Sequence, residues 1–389
     1  MDFALNDEQR MLVETVRGFI ARELQPLEDE IEQTGLLRPE LAKAIHEKGK
    51  ALGLYAMNIP AEHGGGGLSA VDHMLCEEQF GRTTDILIRR AFGNVYEMLL
   101  ECKGDQVERW LRPCVRGERV CSIAITEPSA GSDAAGIKTR AVKDGEGWRL
   151  TGGKHFISDG LVSDFFLVTA VTDPTAGARG VSMFLVDRDQ PGLVIGRDQP
   201  MMGLRGTSHV ELFFDDVRLE PVQLLGDEGQ GLRLALTTLG RVRLAQVGAR
   251  AIGKATMVLS KMVAYANERH QFGKPLASLQ MVQAMIADSV MEVNKARLLL
   301  WRAAFELDSG RDARDLIAMV KVDASETLGR VVDRAVQIFG GMGFCKDLPI
   351  EKYYRDARIY RIFDGASEVH RFTLARSTAR HGEALFDVI

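Results

Sequence analysis

The sequence predicts an α+β chain in three parts: helices first, then an antiparallel β-domain, then a helical bundle. Three observations predict it. Apolar residues follow a helical spacing up to about residue 116, β-rich runs fill residues 122–225, and helical spacing returns from Gly231 onward. A chain of 389 residues is long for one core, so two or three packed units are expected.

The first part opens with Asn6, placed to cap a helix whose first turn holds Asp7 and Glu8. Met11, Leu12, Val16 and Ile20 fall on one face of that helix. Pro26, the stretch Gly35–Pro39 and the run Gly64–Gly67 divide this part into several helices. Four glycines in a row without a following Gly-Lys-Ser/Thr predict a flexible surface turn rather than a phosphate loop, and His63 beside them an exposed loop histidine. In the second part the runs at 148–158, 164–172, 181–187 and 208–217 read as strands, and Asp144-Gly-Glu-Gly147 reads as a hairpin turn. In the run at 208–217, Val210, Leu212 and Phe214 alternate with His209, Glu211 and Phe213, which gives a strand with distinct faces and a barrel or sandwich. In the third part, sets such as Ile252, Ala255, Leu259, Met262 and Ala266 recur at helical steps. Breaks at Gly273-Lys-Pro275 and Ser309-Gly310 separate long antiparallel helices, with an apolar face left for other subunits.

Composition narrows the function. A net charge of −5 argues against a nucleic-acid binder held by counterion release. The five cysteines lack metal-ligand spacing and read as buried apolar groups in a reducing compartment. An acidic N-terminus and the lack of a spanning segment predict a cytoplasmic protein without a membrane role. The missing strand-GxGxxG-helix unit excludes a doubly wound dinucleotide fold.

Four segments carry candidate chemistry. Residues 336–371 run from an apolar helix into Gly340-Gly341 and on to Asp364-Gly365, a carboxylate beside a permissive backbone, with Ser367 a candidate N-cap. The segment from Ile125 to Asp133 is dense in hydroxyls (Thr126, Ser129, Ser132) able to address a polar ring edge or a pyrophosphate. Phe156-Ile157-Ser158 sets an aromatic and a hydroxyl in a strand. Arg269 and Phe272, followed by Gln280, offer a cation for phosphate and a ring for stacking. Taken singly, each has an ordinary reading as turn, core or solvated helix end.

Two signatures, residues 124–136 (AITEPSAGSDAAG) and residues 337–344 (QIFGGMGF) followed by residues 354–360 (YRDARIY), together resemble the flavin-dependent acyl-CoA dehydrogenase family. The resemblance covers nearly the whole chain. It implies a helical domain, a β-barrel and a four-helix bundle, here at 1–118, 119–226 and 227–389. It implies FAD, with Ile123, Ile125, Thr126, Ser132, Phe156, Ile157 and Ser158 around the isoalloxazine. Arg269, Phe272, Gln280, Gln337, Gly340 and Gly341 would hold the adenine and pyrophosphate half, largely from a neighbouring subunit, so a homotetramer built of dimers is expected. Ala366, Ser367 and Glu368 match a further cofactor contact, and Ser132, Arg243 and Gly365 match contacts to the acyl-CoA substrate. An electron-transfer flavoprotein would be the acceptor.

The family's usual base is a glutamate in Tyr-Glu-Gly-Thr-Ser; this chain has Phe363-Asp-Gly-Ala-Ser367, which makes Asp364 the catalytic base. Some members keep a base one residue before an arginine of the first bundle helix. Here that is Gly240 or Val242, depending on whether Arg241 or Arg243 matches, and neither is acidic. Aspartate is one methylene shorter than glutamate, a deficit of roughly 1–1.5 Å, and so points to an atypical acyl group, cyclic, branched or polar. Relatives with an aspartate base include nitroalkane oxidases, so an oxidase is the second reading and a non-catalytic FAD-binding module the third. Arg89 and Arg90 read either as selectors of a polar acyl end or as surface arginines.

Overall fold

The computed structural model describes residues 4–382. Its first part holds α1 Asp7–Phe19, α2 Glu28–Thr34, α3 Pro39–Ala51, α4 Ala70–Phe80, α5 Asp85–Phe92 and the short α6 Arg112–Val115. Asn6 caps α1 as expected, accepting from the Gln9 N–H while the Gln9 side chain returns to the Asn6 N–H. The glycine run is not a loose surface turn. A Cβ on Gly65 would stand 2.2 Å from the Ile59 carbonyl oxygen, and one on Gly66 2.8 Å from the Met57 Cα, so two of the glycines are demanded by close backbone packing.

The strands are β1 Cys121–Ala124, β2 Arg140–Asp144, β3 Gly147–Ser158, β4 Phe165–Val171, β5 Val181–Asp187, β6 Leu193–Asp198, β7 His209–Leu219 and β8 Leu224–Leu225. They form one sheet in the order β6-β7-β3-β2-β4-β5-β8, with β1 parallel to β4. The hairpin at Asp144–Gly147 forms as expected, with Gly145 at φ +62°. Inner residues of β3, β4, β5 and β7 share one apolar interior, so the sheet curls around it like a barrel. β4 is buried on both faces. Phe166 and Val168 enter that interior, while Phe165 and Leu167 pack outward among Tyr96, Trp110 and Val242 of the helical parts. This explains its unbroken apolar run.

The bundle begins with α7 Gly231–Val242, passes through π-type turns at Arg243–Ala249 and continues as α8 Arg250–Glu268. A small ribbon, β9 His270–Gln271 and β10 Lys274–Pro275, leads to α9 Gln280–Asp308 and α10 Arg314–Phe339. α11 Gly341–Phe344, α12 Ile350–Arg358 and α13 Ser367–His381 complete it. Gly340, at φ +60°, ends α10 where the sequence placed the stop. Ser367 is the first residue of α13 rather than its cap, a position taken by Ala366. Four of the five cysteines are buried and all are free. No helix among the described residues is long and apolar enough to cross a membrane.

The N-terminal helices meet the bundle where α4 crosses α8 at backbone contact. A Cβ on Gly253 would lie 1.7 Å from the Glu78 carbonyl oxygen, and one on Gly81 2.2 Å from that of Arg250. Gly253→Ala is expected to force the two helices apart and cost about 1–3 kcal/mol, read as a lowered denaturation midpoint. An unchanged midpoint would show that the crossing yields without strain.

Candidate active site

Three hydrogen bonds join β1 and the hydroxyl-rich loop after it to the end of β3, which holds residues 154–158. Ser122 Oγ donates to the Ser158 carbonyl at 2.5 Å, the His155 N–H to the Thr126 carbonyl at 2.8 Å, and Lys154 Nζ to the Ile125 carbonyl at 3.0 Å. Lys154 also meets Glu127 at 2.8 Å, and Glu127 accepts from the N–H groups of Lys138 and Thr139. This buried pair fixes both ends of the loop. Reading the sequence singled out neither residue, although a lysine inside a strand of otherwise apolar inward positions was the available signal.

A bulge in the β3–β7 pairing between Lys154 and Ile157 re-aims the strand here. Phe156 takes φ +58°, stacks on His155 at 3.9 Å and stays 47% exposed. Ile157 departs from the expectation for its side chain. It is 2% exposed inside the barrel, so only its main chain can border a ligand. The hydroxyls of Thr126, Ser132 and Ser158 make no hydrogen bond to other described residues and are not sealed from solvent, which leaves them for a ligand. Such a rim of unused donors beside an exposed ring suits a flat polar heterocycle such as a flavin.

Asp364 is linked to this loop through the end of α7. Ile123 and Ile125 pack against the apolar cluster containing Tyr96 and Val242, and Arg243, next in sequence to Val242, donates Nε to the Asp364 carbonyl oxygen at 2.7 Å. Of the two candidate arginines, Arg243 makes this contact, and the residue before it is the apolar Val242. His370 lies 3.2 Å from the same carbonyl; burial pushes its pKa down to about 4, so it is neutral and donates Nε2–H. Asp364 sits at φ +53° and Gly365 at φ +91°, a left-handed pair that aspartate and glycine tolerate.

The Asp364 carboxylate is enclosed by protein yet keeps some accessible surface, as expected for a group lining a cleft. Burial raises its pKa, and the positive charges of Arg243, Arg89 and Lys321 only partly oppose this. Asp85 also acts on it. Burial disfavours the charge of Asp85, but Arg89 and Arg250 more than offset this and hold its pKa well below the usual range. Asp85 is therefore committed to ion pairs and is no competing base.

Arg89 and Arg90 fit neither sequence reading. Arg89 pairs with Asp85 and, at 3.1 Å, with Asp159, while Arg90 meets Asp159 at 2.8 Å. Their charges are internally compensated and largely enclosed, unlike those of surface arginines. Lys321 was missed. It lies on α10 in step with the buried Ile317, Ala324 and Leu328, a helical-period signal present in the sequence. It is 0% exposed, its Nζ has no hydrogen-bond partner among the described residues, and burial lowers its pKa to about 8.

A second set of candidates lies elsewhere. Arg269, Phe272 and Gln280 stand where α8 gives way to α9, and Gln337, Gly340 and Gly341 stand at the end of α10. Tyr265 stacks on Phe339 at 4.1 Å and joins the two groups. Phe272 is 90% exposed. From Arg243 to Arg269 the chain rises through 26 residues of helix, about 39 Å at 1.5 Å each. This end of the bundle is remote from Asp364 of the same chain.

Family models for the N-terminal, middle and C-terminal domains of acyl-CoA dehydrogenase match residues 6–118, 122–217 and 229–379. The chain belongs to the acyl-CoA dehydrogenase family, a family of oxidoreductases. It is 37% identical over 386 residues to an acryloyl-CoA reductase (NADH) of Anaerotignum propionicum, covering 98% of this chain and 96% of that one. It is 35% identical to the mitochondrial short-chain specific acyl-CoA dehydrogenase of Rattus norvegicus, covering 95% and 90%. Among solved structures, the FAD complex of PigA matches at TM-score 0.91 and 28% identity, covering 98% and 100%. The three-part acyl-CoA dehydrogenase fold expected from the sequence is the fold observed.

Within this acyl-CoA dehydrogenase site, Lys321 carries a stability cost. Its folded pKa lies below that of the unfolded chain, so the penalty is full below pH 8 and fades as pH rises toward the ordinary lysine value. Lys321→Met is expected to stabilise the protein at pH 7 by about 1–3 kcal/mol, with the gain shrinking above pH 8. Denaturation midpoints across pH 6–10 test this; a destabilised variant at pH 7 would mean that the charge is held by a favourable contact.

Proposed function

We propose that this chain is an FAD-dependent acyl-CoA dehydrogenase in which Asp364 takes the α proton of an acyl-CoA thioester. The observation that carries the reading is Asp364 itself: a carboxylate clamped through its own carbonyl by Arg243 and His370, and enclosed so that its basicity rises. FAD, when bound, supplies the acceptor for the hydrogen leaving the β carbon. Ile123, Ile125, Thr126, Ser132, Phe156, the Ile157 main chain and Ser158 would border its ring, with Ala366, Ser367 and Glu368 near by.

The α C–H of a thioester is far too weak an acid for a carboxylate in water. The site must therefore lower the cost of the charge that develops on the thioester oxygen. The main-chain N–H groups of Asp364 and Gly365 have no acceptor among the described residues, and would donate there. Enclosure of Asp364 also strips water from its oxygens and sharpens its pull on the proton. Ser132, Arg243 and Gly365 would keep the thioester against this base.

The acceptor we propose is a separate electron-transfer flavoprotein. A relative named as a reductase shows the family working under both names, so the working direction follows from the electron partner. We further propose a homotetramer built of dimers. Arg269, Phe272, Gln280, Gln337, Gly340 and Gly341 stand too far from Asp364 to serve the same cofactor within one chain, and would complete a neighbour's. The apolar side chains Met281, Val290, Met291, Leu298 and Phe305, exposed along α9, provide the surface for that association.

Asp364→Asn is expected to keep its yellow FAD and lose flavin bleaching by acyl-CoA under anaerobic conditions, by at least about 100-fold in rate. Rapid bleaching would remove Asp364 from the mechanism, and peroxide formed from nitroalkane in air would favour the oxidase. In the unmodified protein, bleaching is expected to rise with pH through an ionisation above the ordinary carboxylate range, because the base works only when deprotonated. A profile already flat at pH 5 would contradict the raised Asp364 pKa.

A further inference from the structure

Two left-handed residues other than glycine bracket the segment proposed to border the flavin: Phe156 at φ +58° and Asp159 at φ +61°. Such conformations persist only where the surroundings hold them in place. Asp159 is held at every polar group. Its N–H donates to the Ser208 carbonyl at 2.9 Å, and its carbonyl accepts from the N–H groups of Val162 and Ser163 at 2.9 and 3.0 Å. The residue is 3% exposed, and its carboxylate accepts from Arg90 at 2.8 Å and from Arg89 at 3.1 Å. The carbonyl of Ser158, one residue earlier, accepts from Ser122 Oγ at 2.5 Å.

A turn does not by itself require a buried charge. Asparagine adopts the same backbone conformation and would spare the burial of a carboxylate. The charge of Asp159 therefore answers to what lies beyond the turn, the two guanidinium groups on α5. Arg89 passes the contact on. It also bonds Asp85, whose other oxygen bonds Arg250 at the start of α8, and Arg250 bonds Glu77 at 2.5 Å. Asp159, Arg89, Asp85, Arg250 and Glu77 form one unbroken line of alternating charge, from the β-domain through the N-terminal helices into the bundle. With Arg90 it holds three cations and three anions and is neutral as a whole. On the rod that carries Arg250, Arg243 lies two turns earlier and donates to the Asp364 carbonyl at 2.7 Å. The turn after Ser158 and the acid at 364 are thus both tied to one helix.

We propose that Asp159 is a positioning residue for the reaction: through Arg89, Asp85 and Arg250 it sets the spacing between Phe156–Ser158 and Asp364. The proposal rests on the acyl-CoA reading and adds what holds the two halves of that site in register. It also gives Arg89 and Arg90 a role other than selecting an acyl end. A displacement of about 1 Å between reacting groups costs on the order of 100-fold in rate. A link of this kind therefore acts on the chemical step rather than on capture of the substrate.

The test is Asp159→Asn, which keeps the size of the side chain and the main-chain bonds of the turn and removes the charge at the β-domain end of the line. Its control is Asp187→Asn. Asp187, on β5, is likewise held by two arginines of the N-terminal part, Arg109 and Arg119, each at 2.7 Å, and lies outside the line. Holoenzymes are mixed anaerobically with butanoyl-CoA and octanoyl-CoA, and the visible circular dichroism of the bound flavin is recorded without substrate. In Asp159→Asn the limiting bleaching rate is expected to fall by at least about 10-fold, with the half-saturating concentration little changed and the flavin spectrum altered. Asp187→Asn is expected to lower the denaturation midpoint while rate and spectrum stay as they were. An undiminished limiting rate in Asp159→Asn, an equal fall in both variants, or a change confined to the half-saturating concentration would overturn the proposal. Should Asp159→Asn not fold, Asp159→Asn combined with Arg90→Gln, which keeps the charges balanced, carries the same comparison. If neither ester bleaches the unmodified protein, the acyl-CoA reading fails, and the flavin spectrum alone decides: altered in Asp159→Asn only, it supports the positioning role; unaltered, it refutes it.

Discussion

The buried guanidinium of Arg250 is the constraint on which the site depends. It bonds Glu77 on α4 and Asp85 on α5, so both helices of the N-terminal part are tied to the start of α8. Glycines on both sides of the α4–α8 crossing let the backbones close to contact, which holds these charges away from water. Removing the arginine would strip Glu77 of its guanidinium partner and leave Asp85 to Arg89 alone, and a buried carboxylate that loses a partner is the expensive half of any buried ion pair. Because Arg243 lies two helical turns earlier on the same rod, the ion cluster that anchors Arg250 also fixes the arginine that grips Asp364.

From that anchoring follow two opposite uses of burial. Around Arg250, Arg89 and Arg90, enclosed charges are matched, and the acids stay ionised and inert. Around Asp364 the matching is incomplete. Arg243 spends its Nε bond on the main-chain carbonyl rather than on the carboxylate, and Lys321 is near but unbonded. A carboxylate that is fully salt-bridged is stable and a poor base; one that is enclosed without a direct partner is costly and a better one. The fold places the first kind close enough to the second for Asp85 and Arg89 to act on Asp364.

The same distinction shows how much of the site could be read from residue order. Asp364, the hydroxyl loop and Phe156–Ser158 stand out as candidates because each is a short run whose chemistry sits in adjacent residues. Lys321 was legible in principle from its place on an apolar helical stripe, and Lys154 from its place in a strand. Arg89 and Arg90 were not legible, since their partner Asp159 is some 70 residues away. Nor was the choice between Arg241 and Arg243, which only the bond to Asp364, 121 residues on, decides.

By itself, then, residue order determined the succession of helices, strands and helices and the ends of most elements, and it singled out Asp364 as the candidate acid. These are local properties, set by the period of side chains along a few turns or strands and by glycines with their own backbone freedom. Only the tertiary structure decided which charges are spent on one another and which stay free, and that the glycines of residues 64–67 include two with no space for a Cβ. Burial and pairing depend on side chains brought together from distant parts of the chain, and no local pattern in the sequence carries that information.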